Sequence, residues 1–249
     1  MIKVGIIGGS GLDDPDMLKG AREAVVDTPF GPPSSPLTLG RVNGFEAVMI
    51  ARHGRAHQFS PSQVNYRANI HALKAQGVTH ILATTACGSL RAEIARGDLV
   101  ILDQFIDFTR HRKNTFFDTF EEGPGHTSMA EPFNAHLRDA LIEAAGELNL
   151  KTHARGTVVT IEGPRFSSRA ESRMYQQWGA DVINMSIAPE AILSNEIQIP
   201  YAAVAMSTDY DCWKEDETPV TWDEILEVFR RNVSNVEKLI LNTIPKISV

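Results

Sequence analysis

The chain has little cysteine, no long apolar run and fewer basic than acidic side chains. Only two of its 249 residues are cysteines, Cys87 and Cys212, which argues against a disulfide-built secreted scaffold and predicts a reducing, cytoplasmic compartment. No stretch approaches the roughly 20 apolar residues of a membrane-spanning helix, so no membrane partner is predicted. Residues 1–3 lead directly into a β-branched segment, and no secretory leader is expected there.

The charge balance is acidic. Lys and Arg number 24 against 31 Asp and Glu, which gives a formal net charge of −7 at pH 7. A protein that binds nucleic acid regardless of sequence needs a basic face to displace counterions, so no nucleic-acid partner is predicted. An anionic ligand must instead be held by a few local groups.

The rest of the composition is that of an ordinary globular protein. Hydrophobic residues make up 43% and charged residues 22%, both typical values. A chain of this length can bury a full core as one domain of the larger kind. Because no linker or internal repeat interrupts the sequence, we predict a single domain over residues 1–249.

Short apolar runs alternate with amphipathic segments along the chain. Because strands alternate with helices, the pattern predicts an α/β layered fold. A segment at 107–132 has no period and is too long for a passive connection, so we interpret it as a flap or an interface arm. Strands are predicted at 3–7, 47–51, 80–85, 99–102, 156–161, 182–185 and 201–207, and helices at 64–76, 134–148, 168–178, 189–196 and from Trp222 onward.

Two carboxylates follow the apolar strand predicted at 201–207. Asp209 and Asp211 lie two residues apart in the sequence STDYDCW, at 207–213, and they face the same side if strand geometry persists. In a partly desolvated pocket two such carboxylates repel, so at least one takes up a proton more readily. A pair that shares a proton can both donate and accept hydrogen bonds. A solvated loop and a metal-binding Asp-x-Asp pair are the alternatives.

Three further strand ends carry groups suited to an anion. The sequence GGSG at 8–11 offers backbone N–H groups and the Ser10 hydroxyl. The sequence RHGRAH at 52–57 concentrates cationic donors, among them Arg52, which can make bidentate contacts with phosphate or carboxylate. The sequence TTACGS at 84–89 adds small hydroxyl residues. Since ligands of open α/β sheets bind beyond the carboxyl ends of strands, we predict that the three junctions meet at one ligand, against the alternatives of a tight turn and a solvated basic loop.

The turn EGPRF at 162–166 is a fourth candidate. Phe166 can stack on a flat ligand there. Glu162 can accept hydrogen bonds from a ligand, or it forms an ion pair with Arg165 or Arg169.

Other cofactor chemistry has little support. Neither a G-x-G-x-x-G sequence nor a nucleotide P-loop is present. Metal-ligating residue types do not cluster in the sequence beyond the Asp pair, so no metal is predicted. Cys87 lacks a nearby His-Asn/Asp pattern to activate it, and we interpret it as structural. Met185 and Ser186, at the end of the strand predicted at 182–185, offer an adaptable apolar wall and a hydroxyl.

Eight short motifs extend over essentially the whole chain. In order they are GIIGGSGL (5–12), ARHG (51–54), VNY (64–66), TTACGS (84–89), MAEPF (129–133), EGPRF (162–166), NM (184–185) and STDYDCW (207–213). Together they resemble the trimeric purine nucleoside phosphorylase family, in its branch that acts on methylthioadenosine. The resemblance implies a twisted mixed central β-sheet flanked by helices, and a homotrimer with active sites at the subunit interfaces.

The resemblance also implies a reaction and a set of site residues. The reaction is phosphorolysis of methylthioadenosine to adenine and 5-methylthioribose 1-phosphate, in purine and methionine salvage, with inorganic phosphate as co-substrate and no other cofactor. His126 is expected to come from a neighbouring subunit, and Trp222 stands where the family pattern suggests a smaller aliphatic residue. The implied catalytic residues are Asp209 and Asp211; the phosphate-binding residues are Ser10, Arg52, His53, Thr85, Ala86 and Ser186; the substrate-binding residues are Phe166, Met185, His57, His126, Trp222, Ile225 and Leu226.

The Asp pair favours one class of base. Asp209 would donate a proton to N7 of the leaving purine, and Asp211 would accept from the exocyclic amino group. An Asn at the first position would instead suit a 6-oxopurine. The sequence therefore predicts adenine, and the alternatives are a 6-oxopurine nucleoside phosphorylase and a catalytically silent nucleoside-binding homologue.

Overall fold

The computed structural model describes residues 1–8, 17–120, 125–215 and 222–247, without the side chains of 222–226 and 229–231. No helix within these ranges is long and apolar enough to cross a membrane. The strands are β1 (Lys3–Gly8), β2 (Lys19–Ala24), β3 (Leu37–Val42), β4 (Phe45–Ala51), β5 (His80–Ser89), β6 (Leu99–Ile101), β7 (Gln104–Phe108), β8 (Thr152–His153), β9 (Thr157–Ile161), β10 (Val182–Asn184) and β11 (Tyr201–Asp209). The helices are α1 (Tyr66–Ala75), α2 (Ala135–Glu147), α3 (Arg169–Gln177), α4 (Ile187–Glu196) and α5 (Trp222–Thr243).

All of these strands belong to one mixed sheet. Its main path runs β2-β3-β4-β1-β5-β10-β9-β7, and β11, β6 and β8 branch from β5. β1 is parallel to β4 and β5, and β11 is parallel to β5, whereas β2, β3 and β6 pair antiparallel with their neighbours β3, β4 and β11.

Helices cover both faces of the sheet. Ile70 of α1 and Ile187 of α4 belong to one buried apolar cluster. Leu137 and Leu141 of α2, spaced four residues apart, belong to a second cluster with Leu239 of α5. The predicted single-domain α/β fold, with a mixed central sheet flanked by helices, is confirmed.

Three helices begin at side-chain caps. The Asn65 and Asn134 carboxamide oxygens accept the Ala68 and Leu137 backbone N–H groups at the starts of α1 and α2. Ser168 forms a full capping box with Glu171 at the start of α3.

The sheet leaves a gap along one edge of β5. β11 pairs with β5 from Ile81 to Gly88 along one edge. On the opposite edge β1 pairs only as far as Ala83 and β10 begins at Gly88, and none of the described strands pairs with residues 84–87 there. The carboxyl ends of β1 and β4 therefore lie beside a stretch of β5 that has no strand partner on this edge.

Some strands depart from the predicted pattern. β5 continues to Ser89, so residues 84–89 are strand and not the predicted strand-to-loop junction. Four strands, β2, β3, β7 and β8, were not predicted, and β7 begins just before the aperiodic segment 107–132. β2 was missed because its sequence KGAREA is mostly exposed and lacks an apolar alternation.

Candidate active site

A cavity of about 440 Å³ lies at the gap in β5; we call it the central cavity. His126 does not line it and lies exposed on the segment after β7. Ser10 lies outside the described residues, as do the side chains of Trp222, Ile225 and Leu226 at the start of α5. The predicted site residues that line the central cavity are Arg52, His53, His57, Thr85, Ala86, Phe166, Met185, Ser186, Asp209 and Asp211.

The Asp pair faces the central cavity, but not through strand geometry as predicted. The β11 register shifts between Ser207 and Asp209, and Asp211 lies in a turn with φ 49°. A bulge and a turn thus bring the two carboxylates together. The Asp211 N–H donates to Asp209 Oδ1 at 2.7 Å, and the Thr208 hydroxyl donates to Asp209 Oδ2 at 2.7 Å.

Burial makes this pair easier to protonate. It raises the pKa of Asp209 to about 6, against hydrogen bonds from Thr208 and the Asp211 N–H that lower it. Burial also raises the pKa of Asp211. Asp209 can therefore carry a proton near neutral pH and donate it to a ligand, as the sequence predicts.

The raised pKa of Asp209 predicts a pH-dependent stability difference. The folded state binds this proton more tightly than the unfolded state, whose pKa is 3.8, so the stabilising contribution is complete below about pH 4. It is lost as the pH rises through 6, by about 3 kcal/mol. We therefore expect Asp209→Asn to gain stability relative to the unmodified protein between pH 4 and pH 7.5, measured by denaturant unfolding at fixed protein concentration.

An exposed carboxylate provides the control for this experiment. Asp139 lies exposed on α2, so Asp139→Asn is expected to keep a constant stability difference over the same pH range. A pH-independent difference for Asp209→Asn as well would show that Asp209 has an ordinary pKa in the folded protein.

The other end of the central cavity offers donors for an anion. α4 begins just after Ser186, and the Ser186 side chain makes no capping hydrogen bond. The Asn184 amide donates to Thr85 Oγ1 at 3.3 Å, and the Thr85 hydroxyl donates to the Ala86 carbonyl at 2.9 Å. In the first turn of α4 the Ala188 N–H already donates to Thr160 Oγ1 at 3.1 Å and Pro189 has no N–H, so the donor that this helix start offers to the cavity is the Ser186 hydroxyl. The sequence analysis predicted Ser186 as a donor but began the helix at Pro189.

Arg52 makes its bidentate contact with a carboxylate inside the protein. Its Nε and Nη2 donate to the two carboxylate oxygens of Glu190 at 2.5 and 2.9 Å, and its Nη1 donates to the Thr84 carbonyl at 2.8 Å. Both side chains are only 1% exposed. Burial alone would lower the pKa of Arg52, but Glu190 raises it overall. Two of the five guanidinium N–H groups remain for a ligand.

His53 and His57 form a stacked pair with ring centroids 4.6 Å apart. Burial, with the charge of Arg52, lowers the pKa of His53 to about 4. His53 is therefore neutral at physiological pH, so its Nδ1 carries the proton that it donates to the Phe59 carbonyl at 2.9 Å. Nε2 is then left as an acceptor.

The apolar side of the central cavity contains Phe166 and Met185. Phe166 remains 45% exposed, so one side of its ring is available to a flat ligand. Gly163 has φ 65°, and a Cβ there would lie inside van der Waals distance of Met185 Sδ. The absence of a side chain at 163 therefore allows Met185 to take its place in the wall.

We expect Gly163→Ala to impair the central cavity more than the fold as a whole. A Cβ at a positive φ costs on the order of 1 kcal/mol, and it pushes Met185 out of place. The affinity for a flat ligand that packs on Met185 should fall about tenfold or more, measured by calorimetric titration. Gly146→Ala on α2, where nothing lies within 4 Å of the new Cβ, should leave this affinity unchanged. Equal affinities in the two variants would show that the place of Met185 in the wall does not depend on Gly163.

Glu162 has a different partner from the ones predicted. Arg165 pairs with Glu171 instead. Glu162 pairs with Arg112 at 3.1 Å and accepts the Ser62 hydroxyl. Burial acts to raise the pKa of Glu162, but these hydrogen bonds and those of two backbone N–H groups lower it to about 2. No local sequence signal marks Arg112, because Glu162 lies 50 positions away along the chain.

Cys87 lines the central cavity but is poorly suited to be a nucleophile. Burial, with the nearby charge of Asp209, raises the pKa of its thiol well above the ordinary value. The thiol therefore stays protonated at physiological pH, in agreement with the structural interpretation.

The central cavity thus combines two groups of side chains with different chemistry. The Asp pair can hold and protonate a polar ring edge, while the donors around Thr85, Ala86 and Ser186 suit an oxyanion. A mixed α/β sheet with this arrangement can hold a flat polar ligand beside a small oxyanion and protonate that ligand.

Comparison with known proteins gives the family. The phosphorylase superfamily model matches residues 3–245. An S-methyl-5'-thioadenosine phosphorylase of Xenopus tropicalis is 55% identical over 99% of this chain and 89% of its own length. A methylthioadenosine phosphorylase of Schistosoma mansoni, solved with adenine, has a TM-score of 0.94 and 44% identity, covering 98% of this chain and 91% of that one. A single-residue variant of the Schistosoma enzyme, solved with methylthioadenosine, has a TM-score of 0.91 and 43% identity over the same shares. The chain belongs to the phosphorylase superfamily, within its S-methyl-5'-thioadenosine phosphorylases.

Proposed function

We propose that the protein cleaves S-methyl-5'-thioadenosine with inorganic phosphate, releasing adenine and 5-methylthioribose 1-phosphate. The observation that carries the proposal is the buried Asp209–Asp211 pair, which lies in the same cavity as a cluster of oxyanion donors. The relatives that bear this activity in their names match nearly the whole chain. Inorganic phosphate is the only co-substrate, and no further cofactor is needed.

The two ends of the central cavity act on the two developing charges of the reaction. Cleavage of the N-glycosidic bond gives the sugar oxocarbenium character and leaves negative charge on the purine. Phosphate held by Thr85, Ala86, Ser186 and the free N–H groups of Arg52 attacks the anomeric carbon, while Asp209 protonates N7 of the leaving base. Asp211 accepts from the exocyclic amino group, which distinguishes adenine from a 6-oxopurine.

The substrate's sugar and base lie against the apolar side of the cavity. Phe166 packs on the purine and Met185 on the ribose. His57 reaches toward the 5' end, where the family resemblance assigns an apolar pocket for the methylthio group to Trp222, Ile225 and Leu226, whose side chains lie outside those described. A thioether gains by such burial, whereas a 5'-hydroxyl would lack a partner.

The active form is a homotrimer in which a neighbouring subunit contributes His126. Two large apolar side chains on the same segment, Phe117 and Phe120, are 39% and 51% exposed, and Phe120 lies 5.5 Å from the His126 ring. An exposed aromatic cluster is typical of a surface that another subunit covers.

The protein acts in the cytoplasm, in adenine and methionine salvage. Its two cysteines are free thiols, as is usual in a reducing compartment.

The test is adenine release from methylthioadenosine with and without inorganic phosphate, with inosine run in parallel. Phosphate-dependent release of adenine with little action on inosine is the expected result. Preference for inosine would favour a 6-oxopurine phosphorylase, and release without phosphate would make the protein a hydrolase. Light scattering on a size-exclusion column tests the trimer in the same preparation.

A further inference from the structure

Arg112 occupies a buried position beside the central cavity without lining it. Its side chain is 1% exposed, and it comes from the segment that follows β7. Four hydrogen bonds leave its guanidinium group: Nε donates to Glu162 Oε1 at 3.1 Å, Nη1 to Tyr66 Oη at 2.7 Å and to the Met185 carbonyl at 3.0 Å, and Nη2 to the Glu162 carbonyl at 2.6 Å.

Each of these acceptors fixes a different part of the cavity wall. The Met185 carbonyl belongs to the wall itself, and Glu162 stands directly before the Gly163–Pro164 turn that leads to Phe166. The Tyr66 hydroxyl donates in turn to the Pro61 carbonyl at 3.1 Å. Through Tyr66, Arg112 therefore reaches a third wall segment, which contains Phe59 and Pro61.

Glu162 extends the same network to the segment that carries Arg112. Its carboxylate accepts the backbone N–H groups of Arg110 and His111, at 2.6 and 3.1 Å, and the Ser62 hydroxyl. Three wall segments and the start of the aperiodic segment thus meet at one partly buried ion pair.

We propose that Arg112 is a positioning residue, which holds the nucleoside-facing walls of the central cavity at the spacing that the substrate requires. The inference rests on the proposed function and deepens it. Three of the four bonds of Arg112 go to Glu162 and Tyr66, whose segments face the nucleoside, and only the fourth, to the Met185 carbonyl, reaches the peptide unit next to an anion donor, Ser186. Arg112 therefore acts on nucleoside binding and alignment more than on phosphate binding.

Arg112→Lys is the discriminating variant because it keeps the charge. An ammonium group donates from a single point and cannot span the acceptors of a planar guanidinium group. Nucleoside KM should rise about tenfold or more and kcat/KM should fall roughly 100-fold, while phosphate KM stays within about threefold. Tyr66→Phe removes only the relay to Pro61 and should give a smaller change of the same kind.

Arg138→Lys is the matched structural control. Arg138 also bridges two backbone carbonyls, those of Leu102 and Ala154, at 3.1 and 3.0 Å, and it does not line the central cavity. This variant is expected to lower the melting temperature without changing either KM. A parallel rise of both KM values in Arg112→Lys, or kinetics no different from Arg138→Lys, would overturn the proposal.

Adenine binding tests the role of Arg112 independently of the proposed phosphorolysis. Calorimetric titration with adenine requires no turnover, and weaker binding by Arg112→Lys than by Arg138→Lys supports the positioning role. Unchanged adenine affinity in Arg112→Lys, together with unchanged nucleoside KM, overturns it. Absence of phosphate-dependent adenine release from the unmodified protein would instead refute the proposed function and leave the adenine titration to decide the role of Arg112.

Discussion

Asp209→Asn should lower kcat/KM for methylthioadenosine by about 10² to 10⁴, the usual contribution of a general acid. The variant retains the shape of the side chain and an acceptor for the Asp211 N–H or the Thr208 hydroxyl. It loses the proton that neutralises the leaving base. Steady-state adenine release at saturating phosphate measures the effect.

The same substitution should also change the preferred base. An Asn amide beside N7 can also donate to the neighbouring O6 of hypoxanthine, whereas an ionised Asp209 has no proton to donate there, and one unpaired buried polar group costs about 1–3 kcal/mol. The ratio of kcat/KM for inosine to that for adenosine should therefore rise. Asp139→Asn on α2 serves as the matched control, with no change in either quantity. An unaltered base preference in Asp209→Asn would show that Asp209 does not recognise the base.

Glu190→Gln should lower the free energy of unfolding by about 3–5 kcal/mol, the typical cost of breaking a buried ion pair. Its carboxylate accepts from Arg52 Nε, from Arg52 Nη2 and from the Tyr201 hydroxyl. The amide leaves the Arg52 charge buried without compensation. Because Arg52 also holds the Thr84 carbonyl, phosphate KM should rise together with the loss of stability. Denaturant unfolding and phosphate titration measure the two effects.

Two variants keep the Glu190 prediction falsifiable. Glu143→Gln, which breaks an exposed pair with Lys246, should cost no more than about 1 kcal/mol. The double variant Arg52→Met with Glu190→Met removes both charges and should be more stable than Glu190→Gln alone, even though it loses phosphate binding. A Glu190→Gln variant as stable as Glu143→Gln would mean that the Arg52 charge finds another partner.

Much of the candidate site could be predicted from short sequence patterns. Asp209 and Asp211 lie two residues apart at the end of an apolar strand, and Arg52 follows directly on the apolar strand β4, so local rules bring these groups to one edge of the sheet. The helices α2 and α3 were predicted to within one residue at each end, because apolar spacing and capping residues lie in a single window. These features depend on neighbours in sequence.

The contacts that hold the site together could not be predicted in this way. Arg52 and Glu190 lie 138 positions apart, and Arg112 reaches partners 46, 50 and 73 positions away. Local patterns carry no information on such pairs. The edge strand β2 was missed for a related reason, since its exposed polar residues pair only with β3 and bury no apolar face of their own.

The sequence by itself determined the class of fold, the chemical groups of the site and the family to which the chain belongs. Periodicity, caps and strand-end motifs express local energetics, which operate before the chain is folded. Only the tertiary structure decided how those groups are aimed and charged. The bulge at Thr208 and the turn at Asp211 orient the carboxylates, and burial raises the pKa of Asp209 to about 6. The physical reason is that desolvation and buried ion pairs exist only when distant segments exclude water together.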